Sequence, residues 1–174
     1  MNFKLSPLLG LFLALLLTSQ FSHSQTRPLI SKDPAQQRQW VDSIYDQMSL
    51  KEKVGQLFMV DVLSSDPPSK VGEIKLLVKQ HYVGGVIFSK GGPQRQAKLN
   101  NELQELSKVP LLVGMDAEWG LAMRLDSTYA YPWNMTLGAI RDEKLIEEVG
   151  ASIAKHSKRL GIHINFAPVV DINT

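Results

Sequence analysis

Residues 110–124 read Pro110-Leu-Leu-Val-Gly-Met-Asp116-Ala-Glu118-Trp119-Gly-Leu-Ala-Met-Arg124. The first part of this segment is a short apolar run, and the second part holds two carboxylates, an indole and a guanidinium. A continuous apolar run of this length is typical of a strand that is buried in a parallel sheet. In such sheets, functional groups lie beyond the carboxyl ends of the strands. We therefore expect a strand at 111–115 that delivers Asp116 and its neighbours to a functional loop.

Short apolar runs alternate with helical periodicity along the rest of the chain. The predicted strands are residues 57–61, 84–88, 111–115 and 162–166. The predicted helices are residues 36–48, a short helix that begins at the capping box Ser49-Leu-Lys-Glu52, residues 67–78, residues 93–108, and a helix capped by Asp142 with Leu145, Ile146, Val149, Ile153 and Leu160 facing inward. This alternation predicts an α/β fold in which helices cover a parallel sheet.

The number of strand and helix units predicts the N-terminal half of a (β/α)8 TIM-type barrel. A whole barrel takes about 250 residues, and this chain has 174. A half barrel would leave two unpaired strand edges, which native proteins avoid. We therefore expect the chain to be the N-terminal part of a longer protein. A complete doubly wound domain of four or five strands is the alternative that periodicity leaves open.

The first residues predict export from the cytosol. Lys4 precedes the apolar run 8–17, and Ser22-His23-Ser24 resembles a small-residue cleavage site. We assign residues 1–24 to a signal peptide, residues 25–35 to a linker and residues 36–174 to the partial barrel domain. The mature protein is then periplasmic or secreted. A retained membrane anchor is the rival interpretation, but the run is short of the roughly 20 apolar residues that span a bilayer.

Composition excludes several classes of function. Removal of residues 1–24 takes away one of 19 basic residues and none of 17 acidic ones, which leaves a net charge of +1 and no case for nucleic-acid binding. The chain has no cysteine, so it has neither a disulfide scaffold nor a thiolate metal site. None of its four histidines pairs with another at ligand spacing. We expect no metal and no cofactor.

The loop after the third predicted strand holds the candidate site residues. Asp116 and Glu118 can accept hydrogen bonds from sugar hydroxyls, and Trp119 can supply a face for a pyranose ring. Arg124 can donate paired hydrogen bonds to a ligand or to Asp116 itself. Ordinary structural roles compete with these: a turn cap for Asp116, a solvated Glu118, a surface charge for Arg124 and a shield at the loop root for Trp119. Asp61 and Asp171, at other predicted strand ends, are weaker candidates.

Four ordered segments resemble the catalytic barrel of glycoside hydrolase family 3. Met48-Ser-Leu-Lys-Glu-Lys-Val-Gly-Gln-Leu57 resembles the family's entry helix, and Val83-Gly-Gly-Val-Ile-Phe88 resembles its second strand. Leu111 to Glu118, followed by Arg124, is similar to the family's D-x-E-G-G-x-x-x-R sugar loop. Gly161-Ile-His-Ile-Asn-Phe-Ala-Pro-Val-Val-Asp171 resembles the fourth strand.

The resemblance implies a retaining β-N-acetylhexosaminidase-like enzyme that acts on terminal β-linked amino sugars, which include peptidoglycan-derived ones. It implies that Asp116 accepts hydrogen bonds from the non-reducing sugar and that Arg124 assists. The family's nucleophile and acid/base groups match no position here, so we expect them beyond Thr174. Accordingly, no catalytic residue is assigned, and the chain alone is expected to be inactive.

Two positions depart from the family pattern. Trp119 stands where the family loop usually has glycine, and Leu121 stands where the hexosaminidase branch often has arginine. The tryptophan variant resembles exported proteins in which a serine-hydrolase-like domain follows the barrel. A β-glucosidase or another exo-β-glycosidase of the family, and a non-catalytic exported glycan-binding module, are the alternative functions.

Overall fold

The computed structural model describes residues 33–170. The predicted signal peptide, residues 25–32 of the predicted linker, and Asp171 lie outside the described residues. The described residues divide into two units, residues 33–46 and 47–170.

In the first unit, helix α1 spans Pro34–Tyr45. It begins two residues before the predicted start because the Asp33 carboxylate accepts a hydrogen bond from the backbone N–H of Gln36 at 2.9 Å. Proline is tolerated at the first helical position, where its missing N–H would have no partner. Trp40 on this helix is 59% exposed.

The second unit alternates strands with helices. Its elements in chain order are α2 Leu50–Gly55, β1 Met59–Leu63, α3 Pro68–His81, β2 Gly85–Lys90, α4 Pro93–Leu106, β3 Leu112–Met115, a 3-10 turn at Leu121–Met123, α5 Asn134–Leu137, α6 Glu143–Arg159 and β4 Ile164–Asn165. Helix α5 was not predicted.

The strands form one parallel sheet in the order β1-β2-β3-β4. Sequential order without a reversal contradicts the doubly wound alternative, whose sheet needs a point at which the strand order turns back. All carboxyl ends of the strands meet at one edge. The predicted parallel α/β architecture is therefore confirmed for the described residues.

The core lies between one face of the sheet and the helices. Strand residues Val62, Val86, Phe88, Val113 and Met115 are buried there with helix residues Ile74, Val78, Leu99 and Leu103. Burial of each such side chain stabilises the fold by roughly 1.5–3 kcal/mol. Alternate strand residues point to the opposite face, where Leu112 is 52% exposed.

The predicted bounds of the first strand were wrong by two residues. The backbone N–H groups of Leu57 and Phe58 donate to carbonyls of α2, at 3.1 Å each, so these residues belong to the turn after that helix. Val62 and Leu63 extend β1 instead, because they pair with β2. Asp61 consequently lies inside the strand, where its carboxylate accepts a hydrogen bond from the Ser89 hydroxyl.

The Asp142 cap of α6 is confirmed, since its carboxylate accepts from the backbone N–H of Lys144 at 3.0 Å. Two of the apolar residues that were predicted to face inward are exposed: Leu145 at 49% and Ile146 at 36%. The buried residues of α6 are Ile153 and Ser157, in its later turns. The helix borders an open cavity of about 490 Å³ from Ile146 to Lys158.

The predicted capping box of α2 is confirmed and carries an additional ion pair. The Glu52 carboxylate accepts from the backbone N–H of Ser49 at 2.8 Å and from the Lys108 ammonium at 2.7 Å. The Lys108 hydrogen bond, followed by the Ser49 bonds, lowers the pKa of Glu52 from 4.5 to about 2. This carboxylate thus ties the start of α2 to the segment that follows α4.

The lowered pKa of Glu52 predicts a stability contribution that depends on pH. A group with a depressed folded-state pKa stabilises the fold above its ordinary value, here 4.5, and the contribution is lost as pH falls towards about 2. In urea unfolding, Glu52→Gln should therefore destabilise the protein at pH 6, and the difference from the parent should shrink between pH 4.5 and 3. Glu73→Gln, which breaks the exposed Lys70 pair, is the matched control and should have little effect at any pH. A pH-independent effect of Glu52→Gln would contradict the account.

Candidate functional site

Asp116 and Arg124 form an ion pair directly beyond β3. The Arg124 guanidinium donates from Nη2 to Asp116 Oδ2 at 2.5 Å. The Arg124 side chain is 28% exposed and the Asp116 side chain is 35% exposed, so the pair is accessible to a ligand. Arg124 Nε is buried and has no hydrogen-bond partner among the described residues. The sequence suggested this pairing as one of two roles for Arg124.

The backbone around Arg124 is fixed by the end of β2. The Arg124 carbonyl accepts from the Gly91 N–H at 3.2 Å, and the Asp126 N–H donates to the Gly91 carbonyl at 2.8 Å. Gly91 adopts a φ of +135°, and a Cβ there would lie 1.9 Å from the Ser64 hydroxyl oxygen. Only glycine fits this position, which holds the loop against the strand ends. Leu125, next to Arg124, is buried and anchors the same segment.

Asn165 of β4 fixes the backbone between the two candidate carboxylates. Its side-chain Oδ1 accepts from the Ala117 N–H at 2.9 Å, and its Nδ2 donates to the Ala117 carbonyl at 3.3 Å. Ala117 is 1% exposed, so the amide of Asn165 satisfies backbone groups that are withdrawn from water. Asn165 was not predicted as a site residue. A polar residue inside the apolar run 162–166 was the available signal.

Glu118 is held on the opposite side of Ala117 by α5. The Asn134 side-chain amide donates to Glu118 Oε2 at 3.0 Å. Glu118 also borders the cavity of about 490 Å³ that α6 and β4 line, together with Lys158 and His163. Asp116 and Glu118 therefore have different partners and do not act as a hydrogen-bonded pair.

Trp119 lies against a second tryptophan that the sequence analysis did not single out. The ring centroids of Trp119 and Trp133 are 6.0 Å apart, and the ring planes are inclined by 46°. The Trp119 carbonyl accepts from the Tyr131 N–H at 3.0 Å. Leu121, in contrast, is buried in the core, so the departure at this position does not place an alkyl group in the loop's open face.

The other polar candidates have structural partners. The ring nitrogen Nδ1 of His163 accepts a hydrogen bond from the backbone N–H of Val113 at 3.0 Å, and the backbone N–H of His163 donates to the Val113 carbonyl at 2.8 Å. Residues 33–170 contain no group of three potential metal ligands among histidine, cysteine, aspartate and glutamate. No helix in this part of the chain has the length and hydropathy of a membrane span.

The fold and the site together define a class of protein. Parallel strands in sequential order deliver a carboxylate, paired with a guanidinium, to the carboxyl edge of the sheet, which is where TIM-type barrel enzymes place their substrate-binding groups. The loop also presents aromatic faces, as carbohydrate-binding sites do. The class is therefore a TIM-type barrel with a polar and aromatic site on its carboxyl edge.

The chain belongs to glycosyl hydrolase family 3. The model of the family's N-terminal domain matches residues 49–174. Among curated relatives, a β-N-acetylglucosaminidase/β-glucosidase of Cellulomonas fimi is 30% identical over 77% of this chain and 23% of its own length. The β-hexosaminidase A of Pseudoalteromonas piscicida is 31% identical over 59% of this chain and 19% of its own. The chain thus spans about a fifth to a quarter of these relatives.

Solved structures confirm the fold. The β-glucoside phosphorylase BglX bound to 2FGlc aligns with a TM-score of 0.71 and 26% identity, over 82% of this chain and 25% of that one. NagZ from Neisseria gonorrhoeae aligns with a TM-score of 0.53 and 23% identity, over 66% of this chain and 36% of that one, which supports the fold alone. The predicted family and TIM-type barrel are both confirmed, and the described strands form part of that barrel.

The hydrogen bonds of Asn165 predict a measurable role in loop order. Asn165→Ala leaves the buried N–H of Ala117 without its acceptor, so we expect a loss of about 1–2 kcal/mol in the free energy of unfolding. Amide hydrogen exchange at Ala117 should become faster. Asn165→Asp, which keeps the acceptor oxygen, should retain most of the protection. Unchanged exchange at Ala117 in Asn165→Ala would show that the side chain does not hold this backbone.

Proposed function

We propose that the full-length protein is an exported, retaining glycoside hydrolase that removes terminal β-linked N-acetylglucosamine-type sugars. In this proposal the chain supplies part of the subsite for the non-reducing sugar. The ion pair of Asp116 and Arg124 at the carboxyl edge of β3, in a member of glycosyl hydrolase family 3, is the observation that carries it. The names of the hexosaminidase relatives support the amino sugar.

The geometry suits Asp116 to hydroxyl recognition. An ionised carboxylate has about four acceptor positions on its two oxygens, and Arg124 donates to Oδ2. Oδ1 and the remaining lone pairs then accept from sugar hydroxyls, while the guanidinium keeps the carboxylate oriented. Glu118, which Asn134 holds, contributes to the same loop as a second acceptor, and Trp119 contributes an aromatic face.

The proposal assigns no catalytic role to Asp116 or Glu118. A retaining glycosidase needs two carboxyl groups about 5–5.5 Å apart that flank the scissile bond, one as nucleophile and one as acid/base. These two carboxylates are two residues apart on one loop and have separate partners. In this proposal the nucleophile and the acid/base group belong to parts of the full-length protein beyond Thr174, so the chain alone has no glycosidase activity.

Export is also part of the proposal. It rests on Lys4, the apolar run 8–17 and the small residues Ser22 and Ser24. A periplasmic or secreted enzyme of this kind would meet glycans outside the cytosol, including those released from peptidoglycan.

A β-glucosidase is the second candidate. The name of the Cellulomonas fimi relative covers both activities, and the structure with a TM-score of 0.71 is a β-glucoside phosphorylase. Aryl β-N-acetylglucosaminide and aryl β-glucoside, compared by kcat/KM in the full-length protein, separate the two candidates. The proposal expects the amino sugar to be preferred.

The substitution Asp116→Ala tests whether the Asp116 carboxylate binds the non-reducing sugar. Loss of the hydroxyl acceptors should remove about 2–4 kcal/mol of transition-state binding, so kcat/KM on the aryl β-N-acetylglucosaminide should fall roughly 30- to 700-fold. Thermal unfolding should change little, because the side chain lies at the surface of the loop. Asp126→Ala, which breaks an exposed ion pair of the same loop with Arg95, is the control and should leave kcat/KM unchanged. Equal kinetics of Asp116→Ala and parent would refute the assignment.

The N-terminus of the mature protein tests export. We expect the mature chain to begin at Gln25 when the protein is recovered from its native host and sequenced. A chain that begins at Met1 would contradict the signal peptide.

A further inference from the structure

Two of the three tryptophans of the chain meet on the loop side of the sheet. Trp119 follows β3, and Trp133 stands at the start of α5, with the ring centroids 6.0 Å apart and the planes inclined by 46°. The indole of Trp133 is exposed, with 69% of the residue's surface accessible, whereas Trp119 is half-buried. The pair therefore presents an angled aromatic surface with a free face on Trp133.

The backbone beneath this surface is well ordered by hydrogen bonds. The Trp133 carbonyl accepts from the N–H groups of Thr136 and Leu137, at 2.8 and 3.0 Å, which fixes it at the first turn of α5. On the other side, the Trp119 carbonyl accepts from Tyr131 at 3.0 Å. The Trp133 side chain is thus positioned by its backbone although its indole adds little to the core.

The neighbours of the pair suit a carbohydrate rather than a purely apolar ligand. Asn134, which follows Trp133, donates to Glu118, which precedes Trp119, at 3.0 Å. An aromatic face therefore lies next to a carboxylate whose remaining lone pairs can accept hydrogen bonds. A pyranose ring has C–H groups that pack on an indole face and hydroxyls on its rim that need polar partners.

The pair also lies close to the proposed subsite for the non-reducing sugar. Asp116 and Trp119 are three residues apart, so their Cα atoms are separated by at most about 11 Å. A ligand of two linked sugar rings can therefore contact the Asp116 carboxylate with one ring and the indoles with the next.

We infer that Trp133, positioned against Trp119, stacks on the second sugar unit of the substrate, so that the protein prefers a glycan of at least two sugar units. This inference rests on the proposed function, because the first unit occupies the subsite at Asp116. Trp133 is a specificity residue in this scheme and takes no part in bond cleavage.

Calorimetric titration of the full-length protein tests this assignment. The probes are N-acetylglucosamine and the thio-linked analogue of N,N′-diacetylchitobiose, which resists hydrolysis. Trp133→Ala should weaken binding of the disaccharide about 10-fold and change binding of the monosaccharide less than 2-fold. Trp133→Phe should recover part of the loss. Phe58→Ala, at an exposed aromatic residue just before β1 and so at the opposite edge of the sheet, is the control and should match the parent for both sugars.

The outcomes separate this inference from the proposed function. If Asp116→Ala abolishes monosaccharide binding but Trp133→Ala leaves disaccharide binding unchanged, the proposed function stands and the stacking role is wrong. Equal losses of both sugars in a folded Trp133→Ala variant would also overturn the stacking role. If the parent protein binds neither sugar, both proposals fail.

Discussion

The site depends on the side-chain amide of Asn165, which hydrogen-bonds both polar groups of the Ala117 backbone. Strands β3 and β4 pair at only two positions, Gly114 with Ile164 and Met115 with Asn165. The amide extends this ladder past the end of β3 and into the loop. Because Ala117 lies between Asp116 and Glu118, its fixed orientation determines where both carboxylates point.

The apolar core and the candidate site lie at different parts of the sheet. One of its faces is buried under α3 and α4 and supplies most of the apolar core, while the polar and aromatic groups lie at the carboxyl edge. The loop that carries them is attached at three places: to Asn165, to Gly91 after β2, and to Trp133 and Asn134 at α5. The position of the loop therefore depends on contacts from β2, β4 and α5 in addition to the ion pair of Asp116 and Arg124.

Local signals in the sequence were sufficient for much of the fold. The capping box at Ser49, the Asp142 cap and the apolar runs of β2 and β3 each depend on residues close in the chain, and the structure has all of them. The ion pair of Asp116 and Arg124 could also be anticipated from the sequence, since the partners are only eight residues apart. Substrate binding by Asp116, Glu118, Trp119 and Arg124 remains a prediction.

What the sequence did not indicate depends on distant partners or on packing. Asn165 lies 48 residues from Ala117, and Asn134 lies 16 residues from Glu118, so no periodic pattern connects them. The predicted start of β1 was wrong because an apolar run does not show which of its first residues belong to the turn that ends the preceding helix. The apolar residues of α6 were expected to face inward along the whole helix, yet helical periodicity does not determine how many of them are buried.

The central claim is that β3 carries Asp116 to a carbohydrate at the carboxyl edge of the barrel. A crystal structure of the full-length protein soaked with N-acetylglucosamine tests this most directly. The account predicts sugar hydroxyls within hydrogen-bond distance of Asp116 Oδ1, with Arg124 still donating to Oδ2. A sugar bound away from the β3 loop, with the Asp116 carboxylate contacting protein groups alone, would contradict it.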